Sequence, residues 1–261
     1  MAISLANAIK SVKEDENWIK KVLLGGILTL IVYAASGAME MQNAAIHTRV
    51  LWFLLYLFFG SLVSGFILST GHKMLNSDSN KMTEWSEQNL IFKGFKYLLS
   101  WMVYCIAIGL IFLLISFVFT LIVCLVLGII YFAINAIIPL SSELVKLLFI
   151  LIFSTLFVVL MLYFMQFISV ACTCYYKNLS FKNLMALKTH FNIIKENQHA
   201  AWTLVGKNIL LMLLFILIAI IFCLTVIGII ALPFVCFATY IVIANLYAQY
   251  GKEIEVGKYL E

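Results

Sequence analysis

Residues 97–139 read YLLSWMVYCIAIGLIFLLISFVFTLIVCLVLGIIYFAINAIIP, without one charged side chain. As a single helix, about 43 residues would reach roughly 64 Å. The hydrocarbon core of a bilayer is only about 30 Å thick. Whether this stretch crosses a membrane once or twice fixes the side on which every later loop lies. The fold is therefore decided here.

That a membrane is the right solvent follows from composition. The chain is 64% hydrophobic and 11% charged, with a mean hydropathy of +1.09. Soluble domains carry about 25% charged residues. A folded sphere of 261 residues could not hide so much apolar surface. The net charge of +5 is no signature of nucleic-acid binding, because membrane proteins concentrate Lys and Arg on cytoplasmic loops. Residues 1–17 carry acids and lysines and lack the apolar core of a cleaved signal peptide. The first apolar run, from Val22, is therefore expected to stay as a signal-anchor helix.

Five apolar blocks stand out: 22–39, 50–71, 97–139, 144–176 and 208–249. The last is also about twice the length of one crossing. Thr225, Gly228 and Pro233 near its middle mark a turn, so it divides into two helices. The opening stretch has no such marker, and the lysines decide it. Rich groups are Lys10, Lys13, Lys20 and Lys21; Lys73, Lys81, Lys93 and Lys96; Lys177, Lys182, Lys188, Lys195 and Lys207; and Lys252 with Lys258. Poor groups are Arg49 alone and Lys146 alone. One crossing makes rich and poor groups alternate, as the positive-inside rule asks; two crossings would destroy the bias. The extra length then predicts a break near Gly128, with 126–139 lying along the outer interface or re-entering, and ending at Pro139.

The expected architecture is an all-α polytopic membrane protein with six transmembrane helices arranged as three hairpins and both termini inside. Its parts are an interfacial helix (1–18), hairpin 1 (19–72), a cytoplasmic elbow (73–96), hairpin 2 with its long third helix (97–176), a second elbow (177–206), hairpin 3 (207–250) and a tail (251–261). Each hairpin follows an amphipathic segment. Ala2, Leu5, Ile9 and Val12 share helical spacing in the first. TEWSEQNLIFKGFK (83–96) puts Trp85, Phe92 and Phe95 near one face. In the third, Ser180 can cap a helix with a stripe of Phe181, Leu184, Leu187, Phe191 and Ile194. Trp18, Lys20, Lys21, Trp85, Trp202 and Lys207 fall at the expected depth of interface anchors. The three parallel repeats so defined are not the inverted repeats of many transporters.

Four motifs occur in order: EDENWIKKVLLGG (14–26), STGHKMLNSDSNKMTEW (69–85), NLIFKGFKYLL (89–99) and ALPFVCFATYIVIANLYAQYG (231–251). In this order the chain resembles a prokaryotic family of integral membrane proteins catalogued as domain of unknown function four thousand and thirteen. Trp18, Lys20 and Lys21 match the family's first element. Glu84 and Trp85 match the second, with Thr83 in place of a proline. Phe92, Gly94 and Lys96 match the third, and Pro233, Phe234 and Gln249 the last. The resemblance implies a six-helix fold in a bacterial or archaeal inner membrane, and implies no activity.

Chemistry is sparse. Every acidic residue is expected in a loop or tail, and none deep in a helix, which argues against a carboxylate-driven pump. His190 and His199 read as solvated. No zincin, nucleophile-elbow or phosphate-loop motif occurs, and no catalytic residue, metal or cofactor is expected. The six cysteines read as small buried apolar groups. The polar candidates are amides. Asn245 and Gln249 are spaced i, i+4 on the last helix, and Gln166 lies near the inner end of the fourth. These three either line a cytoplasm-facing cavity or bond between helices. Gly25, Gly26, Ser36 and Gly37, and Gly60, Ser61, Ser64 and Gly65, suit close helix packing. The reading favoured is a non-enzymatic scaffold or accessory subunit of the prokaryotic inner membrane. The alternative is a transporter or channel for a small or lipidic solute. Membrane lipid and a protein partner on the cytoplasmic face are the expected contacts, and nucleic acid is not.

Overall fold

The structure is a computed structural model and describes residues 3–40, 45–77, 81–135 and 142–260. Its helices are α1 (Leu5–Lys13), α2 (Trp18–Met39), α3 (Ile46–Asn76), α4 (Leu90–Asn135), α5 (Ser142–Asn178), α6 (Phe181–Leu184), α7 (Leu187–Glu196), α8 (Gln198–Cys223) and α9 (Val226–Glu253). A 3₁₀ turn, Val256–Tyr259, follows, and no strand occurs among the described residues. Six helices are long and apolar enough to cross a membrane: Trp18–Met39, Ile46–Asn76, Leu90–Phe132, Lys146–Asn178, Gln198–Cys223 and Ile227–Glu253.

The fifth block does divide at Thr225. The Thr225 hydroxyl accepts the Gly228 N–H at 3.0 Å and caps α9. Pro233 is not part of this turn; it lies inside α9. The opening stretch is one helix, α4, of 46 residues. The expected break at Gly128 does not occur, because α4 continues through it to Asn135. A lone glycine costs a helix only about 1 kcal/mol relative to alanine. With neither a proline nor a polar cluster beside it, Gly128 has nothing to stop the flanking Leu and Ile residues from continuing. The rest of the expected outer segment, 136–139 with Pro139, falls outside the described residues.

Packing is uneven along the helices. The buried positions of α3 run from Ser61 to Leu75, and those of α5 cluster between Gln166 and Tyr176. Those of α4 end at Ile108, and those of α9 are densest from Cys236 to Gly251. Beyond that base the helices are bare. Leu110 through Phe132 on α4, Leu147 through Tyr163 on α5 and Leu210 through Ile221 on α8 present exposed large apolar side chains. In water such arms would collapse; in lipid they are already solvated.

α2 packs on α3 and α8 on α9, whereas α4 and α5 barely touch and α4 packs mainly on α3. The α3–α4 crossing is tight: a methyl group on Gly94 would overlap the Ser61 carbonyl, and one on Gly65 the Leu90 carbonyl. The α4–α5 meeting is an edge-to-face pair, Phe112 on Phe164 at 4.7 Å, beside a gap of about 310 Å³.

The short segments join the base. The apolar side of α1 rests on α9, with Ala8 and Val12 buried. The segment 81–89 forms turns instead of an amphipathic helix, and α4 starts only at Leu90, after Asn89 adopts φ 66°. The expected helix from Ser180 is interrupted at Met185 and Ala186, giving α6 and α7. That rotation splits the expected stripe. Leu184 and Ile194 turn inward, while Phe181 and Phe191 stay exposed.

Candidate functional site

The most concentrated chemistry lies where α2 begins. The Lys21 Nζ donates to Asp15 Oδ2 at 2.9 Å and to the Met82 carbonyl at 3.4 Å, and lies 2.6 Å from Glu84 Oε1. Asp15 Oδ2 also accepts the Met82 N–H at 3.0 Å, and Oδ1 the Asn17 N–H at 3.0 Å. Lys21 and Asp15 side chains are each 4% exposed, and Glu84 opens the cluster to solvent at 59%. Lys21 was expected as an interface anchor, with no charge buried. Instead it is the centre of a buried ion cluster, because the segment 82–85 folds back over it.

Burial alone would push the Asp15 carboxyl up. The hydrogen bond from Lys21, the Asn17 N–H, the Lys21 charge and the Met82 N–H more than reverse this, and hold it below its usual range.

The same segment is fixed from other sides. Trp85 stacks on Phe66 at 4.0 Å, lies 5.9 Å from Phe237, and donates its indole N–H to the Lys21 carbonyl at 3.3 Å. Lys73 donates to the Met82 carbonyl at 3.3 Å. The Thr83 hydroxyl donates to Glu87, which also pairs with Lys93. For Glu87 too, burial raises the carboxyl and the Lys93, Thr83 and Lys73 groups lower it further, with a net downward shift.

A second polar network joins α1 to α9. The Asn245 amide donates to Ser11 Oγ at 2.6 Å and to Met74 Sδ at 3.2 Å. The Gln249 amide donates to Asn245 Oδ1 at 2.7 Å, and its Oε1 accepts the Ser4 N–H at 2.8 Å. Asn245 and Gln249 thus sit in one hydrogen-bonded network. They bond between elements, and with Lys10, Glu14 and Lys252 they border a surface cavity of about 240 Å³. Gln166 does not line it. Its side chain is 1% exposed, and neither amide atom has a partner among the described residues.

Of the other expected anchors, Lys20 is exposed, Trp18 is half-buried against the core, and Trp202 is half-buried edge-on to Tyr163 at 5.5 Å. Lys207 is half-buried. His199 is exposed, as read, but His190 is not solvated. It is fully buried, its Nε2 bonded to the Asn183 carbonyl at 2.9 Å, and burial holds its pKa below the ordinary value despite that bond. Asp15 and Glu84 were missed by sequence reasoning. Both acids read as loop residues, and an i, i+6 separation across the α1–α2 turn gives no local signal of their pairing with Lys21.

No group of three metal-binding side chains occurs among the described residues. No family model, no curated protein and no solved structure matches the chain.

Proposed function

We propose that this chain is a non-enzymatic multi-pass scaffold or accessory subunit of a prokaryotic inner membrane. In this reading its termini, the segment 81–89 and the α6–α7 elbow form one platform on the cytoplasmic face, and the apolar arms of three hairpins anchor it. Lysine distribution supports that orientation. Membership of the resembled family belongs to the same proposal. Its supporting feature is spatial: Lys21, Glu84 and Trp85, matched in two separate motifs, meet at one place.

The observation that carries the reading is the Asp15–Lys21–Glu84 cluster. A buried charge needs partners on every side, and here those partners are drawn from segments more than 60 residues apart. The cluster welds the platform segments to the bundle, which gives a rigid surface for a partner. A moving pathway would need the opposite. The test is native-gel migration of the chain extracted mildly from its own membranes. A discrete band heavier than chain plus micelle, lost in Lys21→Met, supports a scaffold. Migration as a lone chain, with solute flux in proteoliposomes, contradicts it.

A further inference from the structure

A groove of about 920 Å³ runs between the first half of α3 and the start of α4. Leu51, Leu54, Phe58 and Leu62 line one wall, and Phe92 and Phe95 the other. Leu51 and Leu54 are each 57% exposed and Phe92 69%, so the groove opens sideways, onto the apolar surface of the arms. Along α3 it extends from Leu51 to Leu62, or roughly 17 Å.

One end is different. Glu87 and Asn89 border it there, under Trp85. The Glu87 carboxylate is ion-paired with Lys93 and accepts the Thr83 hydroxyl, so its charge is compensated within the protein. Ser61 lines the same end. It is 1% exposed, and its hydroxyl has no hydrogen-bond partner among the described residues. The first turn of α4 starts beside it at Leu90. N–H groups in a first turn have no acceptor within their own helix, and they carry the positive end of the helix dipole. An unpaired buried hydroxyl is costly, and an oxygen-rich ligand would relieve it.

An apolar trough one acyl chain long, closed by donors that suit phosphate and ester oxygens, matches a single class of molecule. We propose that the groove holds one glycerophospholipid of the bilayer. Its chain lies along residues 51–62, and its glycerol-phosphate oxygens meet the Ser61 hydroxyl and the α4 first turn. This rests on the membrane reading above but not on the scaffold assignment. The polar end is on the side of the base, so the lipid belongs to the leaflet that faces the platform.

The test uses the full chain in mild detergent, exchanged with palmitoyl-oleoyl phosphatidylethanolamine and phosphatidylglycerol, and native mass spectrometry. The wild type retains one phospholipid per chain. Leu54→Trp, which fills the groove from an exposed position, lowers the retained fraction at least tenfold. Ser61→Ala lowers it at least threefold without lowering the melting temperature. Leu113→Trp, in the α4–α5 gap, changes nothing. A membrane-extracted chain that carries only detergent, or equal retention by wild type and Leu54→Trp, overturns the site. A chain recovered from the soluble fraction overturns the membrane reading itself.

Discussion

Lys21 Nζ sits 2.9 Å from Asp15 Oδ2 with both side chains nearly sealed from solvent, and this pair closes the turn between α1 and α2 around the Met82 backbone. Removing one member of a buried ion pair leaves the other charge unpaired, which costs about 3–5 kcal/mol. Lys21→Met is expected to lose that much stability in detergent unfolding. The double variant Lys21→Met/Asp15→Asn is expected to recover a good part of it. A double variant as unstable as the sum of its singles would mean that the two groups are not coupled.

Stability should fall with acid in two stages. His190 has a folded pKa below its ordinary value of about 6.5. Below that value the unfolded chain takes up a proton that the folded chain refuses, so stability drops until the folded pKa is reached. Asp15 is shifted below its ordinary range. Its contribution is complete above that range and is lost as pH falls through the folded value. In melting curves between pH 8 and 3, His190→Gln is expected to flatten the upper stage and leave the lower one. An unchanged upper stage would assign it to another group.

Two glycines of α4 should respond in opposite ways. Gly94→Ala forces a methyl group onto the Ser61 carbonyl and parts α3 from α4, so its melting temperature falls. Gly128 is mid-helix with nothing within 4 Å, so Gly128→Ala is expected to gain about 0.5–1 kcal/mol. A loss at Gly128 would mean that the helix bends there.

The α1–α9 network predicts a local effect. Asn245→Leu removes the donor to the Ser11 hydroxyl, which keeps only its bond to the Ala8 carbonyl, and the acceptor of the Gln249 amide N–H, at about 1 kcal/mol for each bond lost. Limited trypsin digestion at Lys10 and Lys13 should speed up severalfold while cleavage at Lys188 does not. Equal acceleration at both would indicate global unfolding.

The sequence was most legible where the physics is local. Thr225 and Gly228 announced their turn because capping and chain reversal need only neighbouring residues. The apolar blocks announced six long helices because lipid demands continuous apolar length. Asn245 and Gln249 were found because i, i+4 spacing puts them on one face. Their partner Ser11 was not, since it comes from the other end of the chain. The Lys21 cluster was hidden for the same reason. Nothing local distinguishes a lysine that meets lipid headgroups from one that meets Glu84, 63 positions further on. Gly128 misled because residue type alone reports permission to bend, not a reason to bend. His190 was hidden because the α6–α7 interruption rotates it inward, and that interruption has no strong breaker in Met185 and Ala186.

The central claim is that the long helix α4 passes from one side of a membrane to the other once, so that the two ends of α5 face opposite sides. It is tested most directly by labelling Glu143→Cys and Asn178→Cys with a membrane-impermeant maleimide in intact cells and in inverted membrane vesicles. The account predicts that Glu143→Cys reacts from outside the cell, and that Asn178→Cys reacts only in inverted vesicles. Labelling of Glu143→Cys in inverted vesicles only, with Asn178→Cys reacting from outside, would contradict it.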